Sequence, residues 1–181
     1  MHPTKDRTWE LMQKHLESGF YYIVSSQASA PTETELRAVA RELGCELPDE
    51  FIVHSTNKYG GQYVEVKEEL WPRPKELDVR PFWSFLYGLY TFNVAADIPD
   101  FMNLQSHARE FQNETEHNVI PFLKVIADAD VYCFDERGTI VRWNHELNEL
   151  DRQDRSFFDV LDFELGELAD RKDRKLAERD T

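Results

Sequence analysis

The sequence has few cysteines and no pattern that would pair them with a metal or a redox partner. Its 181 residues include two cysteines, Cys45 and Cys133, and neither lies in a CxxC pair. This excludes a zinc-finger or thioredoxin-like motif. Two unpaired thiols suit a reducing compartment, so we expect a cytoplasmic protein.

Long apolar runs are also missing. The longest apolar-rich stretch, residues 82–96, is interrupted by polar residues, and the first residues, MHPTKD, lack the apolar segment of a signal peptide. A bilayer-spanning helix needs about 20 predominantly apolar residues. We therefore expect neither secretion nor a membrane partner.

Basic residues are scarce relative to acidic ones. The chain holds 35 acidic and 21 basic residues, a formal net charge of −14. Such a field repels nucleic acid and anionic membranes but attracts basic proteins. The excess is uneven, since residues 128–164 hold 11 acidic and 4 basic side chains, a net of −7. This segment suits either solubility or the docking of a basic protein.

The periodicity of the apolar residues predicts an α+β fold. Helical spacing occurs in residues 6–17, 32–43, 48–57, 99–111 and 156–170, and strand patterns occur in residues 20–24, 63–67, 119–126, 131–134 and 139–143. Residues 82–93 are strand-like, with a helix as the alternative. This order predicts a mostly antiparallel twisted sheet with helices packed on it, in a single domain.

Local signals support several of these elements. Thr32 and Glu35 have capping-box spacing, Gly60-Gly61 ends the third helix, and residues 135–138 form a hairpin turn ending in glycine. We expect residues 1–31 to form an N-terminal helix and extended segment, and residues 32–170 to form the main domain. Residues 171–181 are nearly all charged and are expected to form a solvated tail that frays.

Two apolar stripes are predicted to face the core. In the first helix, Trp9, Met12 and Leu16 fall on one face, and in the fourth helix Phe101 is in phase with Leu104.

The search for catalytic residues yields one weak candidate. His145 adjoins Glu146, and a hydrolase could use this histidine with nearby carboxylates, although adjacent residues on a strand point in opposite directions. No serine lies in a nucleophile-elbow context. Cys133 is predicted to be buried in a strand and Cys45 to follow a helix end, two settings that do not activate a thiol.

No metal or cofactor site is predicted. Asp128 and Asp130 offer two carboxylates without the regular spacing and central glycine of an EF-hand loop. Gly60-Gly61 lacks the lysine and hydroxyl residue of a phosphate-binding loop. The sequence therefore favours a binding protein without enzymatic activity.

Four sequence features, in order, resemble the SUKH superfamily of Smi1/Knr4-like proteins over about residues 32–168. They are LPDEF at 47–51 with NKYGG at 57–61, VIPF at 119–122, VYCFD at 131–135 with TIVRWNHE at 139–146, and SF at 156–157. The chain departs from the family pattern at residues 127–130, where many members carry Gly-Gly-Gly-Asp, and at Tyr59, where asparagine is common. These departures indicate a divergent branch.

The resemblance implies a function. SUKH proteins are mostly bacterial immunity proteins that bind and neutralise a toxin domain, often a nuclease. Enzymatic activity is not typical of the family. A fungal relative instead regulates cell-wall synthesis through protein contacts, so a regulatory or scaffold module is the alternative. We expect a basic protein partner, and the predicted contact residues are Glu65, Glu68, Glu69, Trp71, Asp128 and Asp130.

Overall fold

A seven-stranded antiparallel sheet forms the centre of the fold. The computed structural model describes residues 7–26, 29–73, 75 and 81–179, and in them each strand pairs with the next along the chain. The strands are β1 (Tyr21–Val24), β2 (Tyr63–Val66), β3 (Gly88–Thr91), β4 (Ile120–Val125), β5 (Val131–Phe134), β6 (Ile140–Asn144) and β7 (Glu149–Arg152). This arrangement confirms the predicted α+β class.

The described part of the chain contains five α-helices. They are α1 (Arg7–His15), α2 (Glu33–Glu42), α3 (Asp49–Ser55), α4 (Leu104–Thr115) and α5 (Phe157–Arg179). The predicted capping box opens α2, since the Thr32 hydroxyl accepts from the Glu35 amide and the Glu35 carboxylate accepts from the Thr32 amide at 2.7 Å.

The two faces of the sheet have separate apolar clusters. On one face, Phe51 of α3 and Phe157 of α5 meet Phe122 and Phe134, whose rings stack with centroids 4.1 Å apart. On the other face, Phe111 of α4 packs edge-on against Trp143 at 4.9 Å, beside the buried Cys133 and its neighbours. Helices α3 and α5 therefore cover one face, and α4 covers part of the other.

Residues 82–93, for which a strand was predicted with a helix as the alternative, form two elements. Phe82–Phe85 forms a 3₁₀ turn and Gly88–Thr91 forms β3. Strand β7 was not predicted, because Glu149–Arg152 is mostly charged and has no apolar alternation.

Two aromatic residues predicted to face the core are exposed instead. Trp9 stacks on Tyr59 at the surface, and Leu11 is buried on α1. Helix α4 begins later than predicted, because the Asn103 side chain caps it by accepting from the Ser106 amide. Phe101 consequently lies in the preceding 3₁₀ turn, Asp100–Met102, where it is exposed.

Helix α5 continues through the charged segment that was expected to fray. It reaches Arg179, whose guanidinium donates to the Glu69 carbonyl. Lys172 is buried, with its ammonium 2.6 Å from the Asp173 carboxylate and 4.5 Å from the centre of the Phe20 ring. These contacts hold the last turns of α5 against the sheet. The charged sequence of this segment does not by itself reveal them.

Candidate functional site

The β1–β3 half of one sheet face carries a continuous group of aromatic side chains. Tyr22 lies opposite Glu65 in the register, and Tyr63 lies opposite Tyr90, so these four side chains share a face. Tyr90 also lies opposite Lys124, which places the group on the face that α4 partly covers. Tyr22 is 55% exposed.

Phe101 completes the group from the 3₁₀ turn before α4. Tyr63 and Tyr90 stack with centroids 6.3 Å apart, and Phe101 meets their rings edge-on at 6.2 and 5.3 Å. Phe101 is itself 50% exposed. We call Tyr22, Tyr63, Tyr90 and Phe101 the aromatic face. Three of these rings contact one another, and two of the four residues are exposed. Such a group is typical of interaction sites, whereas single exposed apolar residues are common everywhere.

A groove of about 470 Å³ runs along the aromatic face next to β1. Its walls include Tyr22, Val24, Glu65, Asp97 and Phe101. The groove is thus lined mainly by apolar residues, and two carboxylates are part of its lining. This composition suits a bound segment whose apolar side chains are flanked by a positive charge.

Glu65 lies beside the aromatic face in an ordered position. Its carboxylate accepts from the Tyr63 hydroxyl at 2.9 Å and lies 3.3 Å from the Arg73 guanidinium. Burial, followed by the Glu65 contact, raises the pKa of Tyr63, so its phenol stays protonated and remains the donor. Of the six predicted contact residues, Glu65 is the one that lies against the aromatic face.

Glu68 and Glu69 follow the end of β2 and are exposed. The register places the ends of β2 and β4 at the same end of the sheet, with β3 between them. At a strand spacing of about 4.8 Å, β2 and β4 lie about 10 Å apart across the sheet. The predicted acidic residues therefore share an end of the sheet without forming one cluster.

Trp71 is a core residue in this structure. Its side chain is 4% exposed, and its indole N–H donates to the Ser84 carbonyl at 3.0 Å. Burial thus argues against Trp71 as a partner contact, because its ring packs inward from the loop after β2.

Asp128 and Asp130 are occupied by contacts within the chain. Their carboxylates lie 2.8 and 3.5 Å from the Arg142 guanidinium, and Asp130 also accepts from the His145 amide at 3.0 Å. Lys124 donates to the main-chain carbonyls of the same turn. This arrangement stabilises the β4–β5 turn and leaves these two carboxylates partly covered.

The geometry around His145 does not favour a hydrolase. His145 is exposed in the turn after β6, and its ring meets the edge of Trp143 at 5.5 Å. Among the described residues, no carboxylate lies within hydrogen-bond distance of this ring.

Among the described residues, a different histidine contacts a carboxylate. His15 Nε2 lies 2.5 Å from Asp162 Oδ1, and Lys14 Nζ lies 2.8 Å from the same oxygen. Burial tends to raise the pKa of Asp162, but hydrogen bonds from Lys14 and His15 outweigh it and lower this pKa. The contact joins α1 to α5, which are distant in the sequence, and no local spacing could have predicted it.

Both cysteines are buried and poorly suited to nucleophilic chemistry. Burial, assisted by Glu136 and Asp135, raises the pKa of Cys45 to about 11, and burial raises the pKa of Cys133 well above its usual value. A thiol must ionise to attack, so neither group is activated at neutral pH.

Metal and membrane sites were also searched in the described ranges. There, no group of three or more histidine, cysteine or acidic side chains is arranged to hold a metal ion. No helix in the same ranges combines the length and apolar character needed to cross a membrane.

Comparison with known proteins assigns the chain to a family. The family model described as SMI1 / KNR4 family (SUKH-1) matches residues 30–162. Because this match covers most of the chain, the protein belongs to the SMI1/KNR4 family. A comparison with curated proteins gave no match.

Proposed function

We propose that this chain is an immunity-type protein that neutralises a basic toxin domain by binding it at the aromatic face. The observation that carries the proposal is the exposure of Tyr22 and Phe101 in an aromatic group that borders a groove lined by Glu65 and Asp97. Membership of the SUKH-1 family supports a protein partner, and the same membership supports the immunity role.

The aromatic face has the composition of an interface core. Tyrosine and phenylalanine bury large areas on binding and lose little side-chain entropy, so such rings often carry most of the binding free energy. Tyr63 and Tyr90 are half-buried and held by mutual stacking, which orders them before a partner arrives. Pre-ordered rings reduce the entropic cost of association.

The charge of the molecule supports a basic partner. A net charge of −14 steers cationic proteins toward the surface and repels nucleic acid. A nuclease toxin must bind phosphate and tends to be basic, so it is a suitable partner class. Glu68 and Glu69 are exposed at the end of β2 and can contribute to the rim of the interface.

The proposed location is the cytoplasm, and the proposed role involves no catalysis. The free thiols of Cys45 and Cys133 suit a reducing compartment.

The first test is co-expression with each candidate toxin domain whose gene lies beside that of this chain. The wild-type chain is expected to protect the cells and to form a complex at low salt. The Tyr22→Ala/Phe101→Ala double variant should weaken binding at least about 30-fold, which is about 2 kcal/mol, as expected for interface anchors. Phe163→Ala is the matched control, because Phe163 is an aromatic residue of α5 with 42% exposure.

The proposal is overturned if the wild-type chain neither protects the cells nor forms a complex, or if the double variant binds as tightly as the wild type. Co-purification with a non-toxin protein instead would support the regulatory alternative. The rim is tested separately by the association rate. Glu68→Lys should slow it at low salt more than Glu46→Lys, an equal charge change at an exposed residue near the opposite end of the sheet.

A further inference from the structure

The two edges of the sheet carry different kinds of side chain. Strand β7 presents Glu149, Asp151 and Arg152, all exposed. Strand β1 instead exposes Tyr22, together with Ile23 at 39% and Val24 at 40%. Charged residues on an edge strand discourage pairing with another chain, whereas an apolar edge is a template for it. The β1 edge therefore lacks the protection that β7 has.

The main-chain groups of β1 that face this edge follow from the register. Tyr21 pairs with Val66, so the residues one position further along, Phe20 and Lys67, also lie opposite each other. The Lys67 amide donates to the Phe20 carbonyl at 2.9 Å, which makes this a hydrogen-bonded pair. Antiparallel pairs alternate in hydrogen bonding, so Tyr22 also bonds to β2. The N–H and C=O groups of Tyr21 and Ile23 consequently point away from β2.

The opposite side of β2 confirms this alternation. The Val66 amide donates to the Tyr87 carbonyl of the segment leading into β3, so the even-numbered residues of β2 bond toward β3. The odd-numbered residues, including Glu65, remain to bond with β1. Within the described residues, β2 is the one strand next to β1.

We propose that an extended segment of the basic partner pairs with β1 as an additional strand and places alternate side chains in the groove of the aromatic face. This inference rests on the proposed function, and it specifies how the partner is held. Strand addition combines main-chain hydrogen bonds, which provide affinity, with side-chain pockets, which provide specificity. The groove begins at Tyr22 and Val24, the two β1 side chains directed to that face.

The charges around β1 favour a basic segment over a second copy of this chain. Glu65 and Asp97 line the groove on one side of β1. On the other side of β1, the carboxylates of Asp173, Glu17 and Asp170 lie near Tyr21. Burial, and then these negative charges, raise the pKa of Tyr21. The structure pairs two cations with these carboxylates, Arg73 with Glu65 and Lys172 with Glu17 and Asp173. Acidic groups are thus in excess, and pairing two β1 edges would bring two such groups together.

The test uses Ile23→Pro in the full chain. Proline removes the outward-facing N–H and leaves the hydrogen bonds to β2 intact, and proline is tolerated on edge strands when the lost N–H faces solvent. Binding to the toxin domain that the co-expression test identifies should weaken at least about tenfold. Ile23→Val keeps the N–H and is the matched control. Thermal unfolding of each variant establishes that it is folded.

Amide hydrogen exchange on the wild-type chain gives a second, independent measurement. The Ile23 amide should exchange rapidly in the free protein and become at least about tenfold more protected in the complex. The Tyr22 amide, which bonds to β2, should be protected in both states and serves as the internal control. This measurement decides the question if Ile23→Pro does not fold.

The outcomes separate this inference from the proposed function. If the wild type binds the toxin domain, but the Ile23 amide gains no protection and Ile23→Pro binds normally, strand addition is wrong and the proposed function stands. If the wild type does not bind the toxin domain, the proposed function fails and the inference fails with it. If the free chain sediments as a dimer with a protected Ile23 amide, a second copy occupies the edge and the inference is overturned.

Discussion

Lowering the pH should destabilise this protein through a buried histidine that is unrelated to catalysis. His54 is fully buried in α3, and its ring nitrogens each lie 3.0 Å from a hydroxyl, Nδ1 from Thr8 and Nε2 from Thr91. The neutral ring is therefore satisfied by two hydrogen bonds. Burial lowers the pKa of His54 to about 3, because a charged imidazole would be taken out of water without a counterion.

The magnitude follows from proton linkage. The pKa of the unfolded chain is the ordinary value of about 6.5, so between the two pKa values the unfolded state binds a proton that the native state does not. Stability is therefore lost as the pH falls below about 6.5 and regained as it rises. Between pH 7 and pH 5, His54 alone should reduce the free energy of unfolding by about 2 kcal/mol.

The assay is urea unfolding at pH 7 and pH 5, compared between the wild type and His54→Gln. The glutamine amide keeps a hydrogen-bond donor and an acceptor but does not titrate. Burial also lowers the pKa of His107 and raises that of Glu164, and these groups are present in both proteins, so their contributions cancel. If the two proteins lose the same free energy on acidification, His54 is not the cause and the argument from its burial is wrong.

Two further predictions concern stability and thiol reactivity. Gly60→Ala should reduce the free energy of unfolding by about 1–3 kcal/mol, because a Cβ at Gly60 would lie 2.4 Å from the His54 carbonyl oxygen; an unchanged urea midpoint would contradict this close approach. Cys45 and Cys133 should react with a thiol reagent at pH 8 only after urea is added, since burial covers both and raises their pKa values. Rapid labelling of the native protein would show that the core around them opens easily.

Elements with strong local signals could be predicted from the sequence. The α2 capping box and the hairpin turn are satisfied by residues three or four apart, and in the turn the Asp135 amide donates to the Thr139 carbonyl while Gly138 takes a φ of +71°. Such features depend on local backbone chemistry, so the sequence carries them directly. The α+β class follows because helical and strand periods alternate along the chain.

The features that sequence reasoning missed depend on contacts between distant parts of the chain. The burial of Trp71 and of Lys172 follows from the packing of α5 near the end of β2, and β7 forms because β6 provides a pairing edge. The aromatic face is a similar case. Alternation in β2 indicates that Tyr63 and Glu65 share a face, but only the position of α4 decides that their half of the sheet stays uncovered.

Part of the acidic excess of residues 128–164 is used in contacts within the fold. Asp162 pairs with Lys14, and the buried Glu164 accepts from the Tyr132 hydroxyl at 2.8 Å, so these carboxylates stabilise the fold. They still contribute to the long-range field, because pairing does not change the net charge of −14. In the proposed complex, the field then governs how fast the partner arrives, and the aromatic face governs how long it stays. Added salt should therefore slow association strongly and change dissociation little.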